Sequence, residues 1–182
     1  MKAAINLLLL ILFLSINSCS KQDNCENPVD CLPPVTQTGA NIAGCLVNGE
    51  ILLPSGKSLG SGSVLHSQYV YYQNEYIFSI TIRDRDNNRL VQVRSGNIKL
   101  AEGEKYTLIE ESDSNFSGVY IIGGAGSGIG YLTTQQESGE FEIIKLDESK
   151  NIISGTFWFD AINNDGEIVQ VREGRFDVQY QQ

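Results

Sequence analysis

The chain has 182 residues, with 13 basic against 22 acidic side chains and a formal net charge of −9. That balance repels phosphate backbones and excludes nucleic acid as a partner. One histidine and four cysteines are too few for a metal site built from His and paired Cys ligands, so no metal or other cofactor is expected.

The chain opens on a leader. Lys2 gives a positive start, and residues 3–16 are apolar, with an unbroken run over 7–14. The run is too short for a transmembrane helix, which needs about 20 apolar residues. An apolar run of this kind behind a basic start and before small residues reads as a secretory signal over residues 1–18. Ser18 is the small residue before the expected cut, and Cys19 follows it. A thiolate can be alkylated by a diacylglyceryl donor, which Ser or Ala cannot. Ile16-Asn17-Ser18-Cys19 resembles the bacterial lipobox, with Asn17 larger than the residue usual in its slot. Cys19 is therefore expected to carry lipid and to become the first residue of the mature chain. A lone acyl chain binds membranes marginally, so the several chains of a lipoprotein make the anchor stable. The expected location is the outer membrane, on its periplasmic or its cell-surface face. Cutting after Ser18 removes one base, Lys2, and no acid. The mature chain is thus more acidic still, and it reaches membrane through the lipid on Cys19 and not through surface charge.

Residues 19–40 read as a flexible tether. They hold three of the four prolines (Pro28, Pro33 and Pro34) among polar residues without periodicity. Cys25 and Cys31 flank a turn-prone segment and can form a disulfide outside the cytoplasm. Cys45 has no partner and sits among apolar residues, where a free cysteine behaves as a small buried hydrophobe.

From residue 41 to 182 the pattern is one of short β-type runs and turns. Residues 45–47 and 51–53 flank Asn48-Gly49, whose positive-φ preference suits a type I′ hairpin. Residues 54–63 are a Gly/Ser-rich loop, and 68–72 a tyrosine-rich strand. Tyr76, Phe78, Ile80 and Ile82 alternate with Ile77, Ser79 and Thr81, the period of a half-buried strand. Residues 84–89 turn the chain into 90–94. Residues 106–110 and 119–122 are further strands, followed by a glycine stretch at 123–130 and strands at 131–134 and 141–146. Residues 152–161 form the most apolar strand. Asn163–Gly166 turns it into 168–172, and Phe176, Val178 and Tyr180 mark a last strand. No helical periodicity and about ten strands argue a single all-β domain, an antiparallel β-sandwich or barrel.

Candidate chemistry is sparse. The glycine stretch lacks the spacing of a phosphate loop and leads to a strand, not a helix. Asp84-Arg85-Asp86-Asn87-Asn88 starts like a calcium loop, but Arg89 stands where Gly is needed and Ser95 where Glu is needed. His66 is the sole candidate base and reads as a loop residue. No catalytic set emerges, so the chain is expected not to be an enzyme. A carboxylate pair among 22 acids remains an alternative. Trp158 is the residue that invites a ligand. If Phe157 and Phe159 face the core, Trp158 lies on the outer face with Thr156 and Asp160. Tyr71 raises the same possibility, and Tyr69 and Tyr72 the same question.

Leu32-Pro33-Pro34, then Thr36-Gln37-Thr38-Gly39-Ala40-Asn41, then Gly44-Cys45-Leu46-Val47-Asn48-Gly49, together with Ile152-Ile153-Ser154-Gly155-Thr156-Phe157 and Gly174-Arg175-Phe176-Asp177, resemble a Bacteroidota lipoprotein family, domain of unknown function 6252. The resemblance runs from Leu32 to the C-terminus; Ile42-Ala43 and the Cys25/Cys31 pair depart from it. It implies a lipid-anchored envelope protein and supplies no activity or catalytic residues. The expected function is a non-enzymatic binding or accessory module at the outer membrane, facing a glycan, peptide or envelope protein. The alternatives are a lipocalin-like carrier of a small hydrophobic ligand and a carboxylate-dependent envelope hydrolase.

Overall fold

Alternating apolar and polar residues, punctuated by Asn and Gly at positive φ, build eleven strands and one short helix among the described residues. The computed structural model describes residues 25–57, 62–124 and 127–182. The leader, with Ser18 and Cys19, lies outside the described residues, as do residues 58–61 and part of the glycine stretch. A 3-10 helix, Pro28–Cys31, precedes the strands β1 (Ile42–Val47), β2 (Glu50–Leu52), β3 (Leu65–Tyr72), β4 (Glu75–Asp84), β5 (Arg89–Gly96), β6 (Lys105–Leu108), β7 (Phe116–Ile122), β8 (Ile129–Leu132), β9 (Gly139–Asp147), β10 (Ile152–Ile162) and β11 (Ile168–Gln179).

The strands form one sheet in the order β2-β1-β11-β10-β9-β6-β7-β5-β4-β3, with β8 joined to both β7 and β10. Its two ends meet. Ser55, just past β2, bridges Asp84 at the end of β4, and Gln181, just past β11, bridges Gln68 in β3. The sheet therefore curls round into a barrel, joined at these two bridges and not by a continuous ladder. Asn48 and Gly49 both take positive φ, 51° and 83°, as the type I′ turn between β1 and β2 requires.

The interior is filled with rings. Phe141 sits at its centre, 5.2 Å from Phe78, 5.1 Å from Phe116 and 5.5 Å from Phe176, measured between ring centroids. Ile80, Val93, Ile143 and Ile153 close the gaps, all fully buried. Burying side chains of this size contributes about 1.5–3 kcal/mol each before conformational entropy is subtracted. Cys45 belongs to this core, and burial pushes its thiol up to about 12 despite the field of Arg89. It is a packing residue and a poor nucleophile.

Two features differ from the sequence reading. Residues 168–172 and 176–180 are not separate strands. They are one, β11, interrupted by a bulge: Phe157 in β10 faces Gly174, yet Phe159 faces Val171, so β11 carries an extra residue there. Glu173, in the bulge, takes φ 54°. The tether expected over 19–40 is, over residues 32–40, fastened to the barrel wall. Leu32 is buried, and Pro33 and Leu32 press on Gly44 of β1, where a Cβ would approach them to 3.1 and 3.3 Å. Then Asp177 takes hold. Its Oδ2 accepts from Thr36 Oγ1 (2.6 Å), Thr38 N (2.9 Å), Thr38 Oγ1 (3.2 Å) and Ala40 N (3.2 Å), and its Oδ1 accepts from Gly39 N (2.7 Å). A carboxylate only 1% exposed needs such donors, and this segment supplies them. Just upstream, Cys25 and Cys31 are joined by a disulfide around the 3-10 helix.

Candidate functional site

Trp158 stands on the outer wall of β10, between two residues that point inward. Phe157 and Phe159 are 3% and 0% exposed, whereas Trp158 is 43% exposed. The period of two fixes that contrast. The bulge in β11 then shapes what surrounds the indole. It brings Arg172 beside Trp158, with its guanidinium carbon 5.4 Å from the indole centroid, within cation–π range. Arg172 is held in place by its own wall: Nη2 donates to Asp160 Oδ1 at 2.6 Å, and Nη1 donates to the carbonyls of Phe159 (3.0 Å) and Val171 (2.9 Å).

The remaining neighbours are equally fixed. Glu140 of β9 lies directly across from Trp158 in the ladder, and its Oε1 accepts from Lys105 Nζ at 2.8 Å. Thr156 shares the face of Trp158 and lies opposite Arg175, whose Nη2 donates to Glu173 at 3.0 Å. Gly174 has no side chain for a packing reason. A Cβ there would fall 2.5 Å from the Phe157 ring. Val35, 51% exposed on the strapped-down segment, forms the far side. Together these residues bound an open groove of about 610 Å³.

Tyr71 lies elsewhere. It is 58% exposed and packs against Tyr76 with 4.7 Å between centroids, at a depression of about 330 Å³ shared with Lys99 and Glu148. That depression has no residue in common with the Trp158 groove. The structure does not bring the two sequence candidates together. Tyr69 is buried, its hydroxyl accepting from Leu100 N at 3.0 Å, and Tyr72 is exposed at 60%.

The calcium-like segment is a turn. Asp84 accepts from Ser55 Oγ, Asn87 N and Nδ2, and Arg89, closing β2 onto the β4–β5 hairpin. Burial works against its charge, but these hydrogen bonds outweigh it and hold its carboxyl below the ordinary range. No cluster of three or more metal-ligating side chains is found among the described residues. The carboxyl groups that the fold displaces among the described residues (Asp84, Glu102, Asp147 and Asp177) are all displaced downward. His66 lies at a shallow depression beside Asn41, Ser67 and Gln179, with no carboxylate lining it.

The sequence located Trp158 by alternation alone. Arg172 and Glu140 escaped it, because both reach the indole through cross-strand register. One signal was present for the bulge. Val169 and Val171 place the buried face on odd numbers, whereas Phe176, Val178 and Tyr180 place it on even ones, so one extra residue must lie between. No family model, curated protein or solved structure matches the chain.

Proposed function

We propose that this protein is a lipid-anchored, non-catalytic binding module of the bacterial cell envelope. Acylated Cys19 moors it at the outer membrane, and the barrel wall around Trp158 meets the ligand. One observation carries the reading: a large aromatic ring, 43% exposed, is clamped by a guanidinium and set in a groove whose polar groups are already positioned. Aromatic residues and Arg are enriched in recognition surfaces, and here the guanidinium is already ordered by Asp160 and two backbone carbonyls. The resemblance to the Bacteroidota lipoprotein family implies the same anchor and location. Two of the segments that carry it, Thr36–Asn41 and Gly174–Asp177, meet at the Asp177 carboxylate.

The rival readings draw less support. A carrier for a hydrophobic ligand needs space inside the barrel, and phenylalanine rings occupy that space. A carboxylate hydrolase needs an acid with a raised pKa, and the displaced acids move the other way.

Proximity labelling on intact cells tests the reading, comparing wild type with Cys19→Ala and Trp158→Ala. The wild-type protein should fractionate with outer membrane and incorporate labelled fatty acid, and Cys19→Ala should do neither. Trp158→Ala should stay anchored but lose part of the wild-type set of labelled neighbours. An unlipidated wild type would overturn the anchor. Unchanged neighbours in Trp158→Ala would overturn the groove.

A further inference from the structure

We infer that the Trp158 groove binds an uncharged glycan, with a sugar ring laid on the exposed indole surface. This rests on the groove being the binding site and adds the chemistry of what it takes.

Charge is the first argument. The chain is strongly acidic, yet the groove lining holds two carboxylates, Glu140 and Glu173, and two guanidiniums, Arg172 and Arg175. All four are paired: Arg172 with Asp160, Arg175 with Glu173, and Glu140 with Lys105. The lining is therefore balanced, two positive groups against two negative, and offers a charged ligand no net opposite charge. A carboxylate has room for about four hydrogen bonds and a guanidinium donates five, so each pair keeps spare donors and acceptors. Sugar hydroxyls both donate and accept, and adjacent hydroxyls match the fork of either group.

Shape is the second argument. A pyranose presents an apolar C–H face ringed by hydroxyls. The groove presents the same pattern in reverse: the apolar indole and Val35, bordered by Thr156, Glu140 and Arg172. Ligand sites generally combine an apolar surface with a few placed polar groups in this way. An extended peptide would need an open backbone edge to add a strand. None is offered here, because β10 is laddered to β9 on one side and β11 on the other.

The chain contains one tryptophan, so its emission reports on this groove alone. The full chain, held in micelles of a detergent without sugar headgroups, is titrated with neutral glucan, mannan and xylan oligomers. Polygalacturonate oligomers, chitosan oligomers and an extended peptide serve as the comparison set. The expected result is a saturable emission change with at least one neutral oligomer, larger than with any charged probe. Its affinity should change less than about twofold between low and high salt, since no ion pair forms. Calorimetry should show a loss of at least about tenfold for Trp158→Ala, and no loss for Tyr72→Ala. A strongest response to an anionic, cationic or peptide probe overturns the uncharged glycan, while the groove stands. No response to any probe also overturns it. The groove itself is judged separately, by the labelling of Trp158→Ala on cells.

Discussion

Two carboxylates on the outer wall of the same hairpin, Asp177 and Asp160, have opposite surroundings. Asp177 is covered by residues 36–40 and accepts five hydrogen bonds, every one from that segment. Asp160, on the neighbouring strand, holds Arg172 beside an indole that stays 43% exposed. The wall is therefore sealed where the N-terminal segment crosses it and bare alongside. Val35 lies at the boundary, since the segment that closes over Asp177 also forms one side of the Trp158 groove. Sealing orders structure, whereas the bare part is free to meet a ligand.

The sharpest test of the contrast is Asp177→Asn. The amide keeps the shape but loses the charge and half the acceptors, so several donors of residues 36–40 lose their partner. A cost of about 3 kcal/mol in urea unfolding is expected, with faster amide exchange at Thr38, Gly39 and Ala40. A cost as small as that of a surface substitution would mean the segment is not fastened there.

Acid should act on the same point. Burial opposes charge on Asp177, but hydrogen bonds from Thr36, Thr38, Gly39 and Ala40 hold its carboxyl below the ordinary aspartate range. A depressed folded pKa means that the unfolded chain takes up protons first. The stabilisation is complete above the unfolded value of about 3.9 and fades as pH falls through the folded value. Asp84 adds to the same slope. Below about pH 4 the wild type should therefore lose stability more steeply than Asp177→Asn. Equal slopes would remove Asp177 from the account. Thr36→Val deletes one donor to the carboxylate and should cost about 1 kcal/mol, seen as a smaller shift of the same urea midpoint.

The all-β barrel was legible because alternation is local. Tyr76 to Ile80, and Phe157 to Phe159, carry their burial in their own spacing. The outward position of Trp158 followed from the same rule. What defeated the sequence was distance along the chain. Asp177 sits between Phe176 and Val178 and reads as an ordinary outward polar residue, while its partner Thr36 is 141 positions away. Residues 32–40, with their prolines, look like a linker until that carboxylate is known to need donors. The groove failed for a related reason, since a bulge in β11 decides which side chain reaches the indole. The parity switch between Val171 and Phe176 reveals that a bulge exists, but not that it delivers Arg172 to Trp158.

The smallest effect on stability should come from Arg172→Lys. The Arg172–Asp160 pair is partly exposed, with about a third of each side chain open to solvent. Pairs of this kind contribute about 0–1 kcal/mol, so the urea midpoint should hardly move. The local consequence is larger. Lysine can reach Asp160 as a point charge, but it has no planar fork to span Asp160 and the carbonyls of Phe159 and Val171 at once. The cation should then leave its position beside the indole. Because Trp158 is the sole tryptophan, its emission maximum and its quenching by acrylamide should both change while far-ultraviolet dichroism does not. Unchanged emission would show that the guanidinium does not set the surroundings of the ring. A large fall in stability would place Arg172 with Asp177, among the groups that hold the wall together.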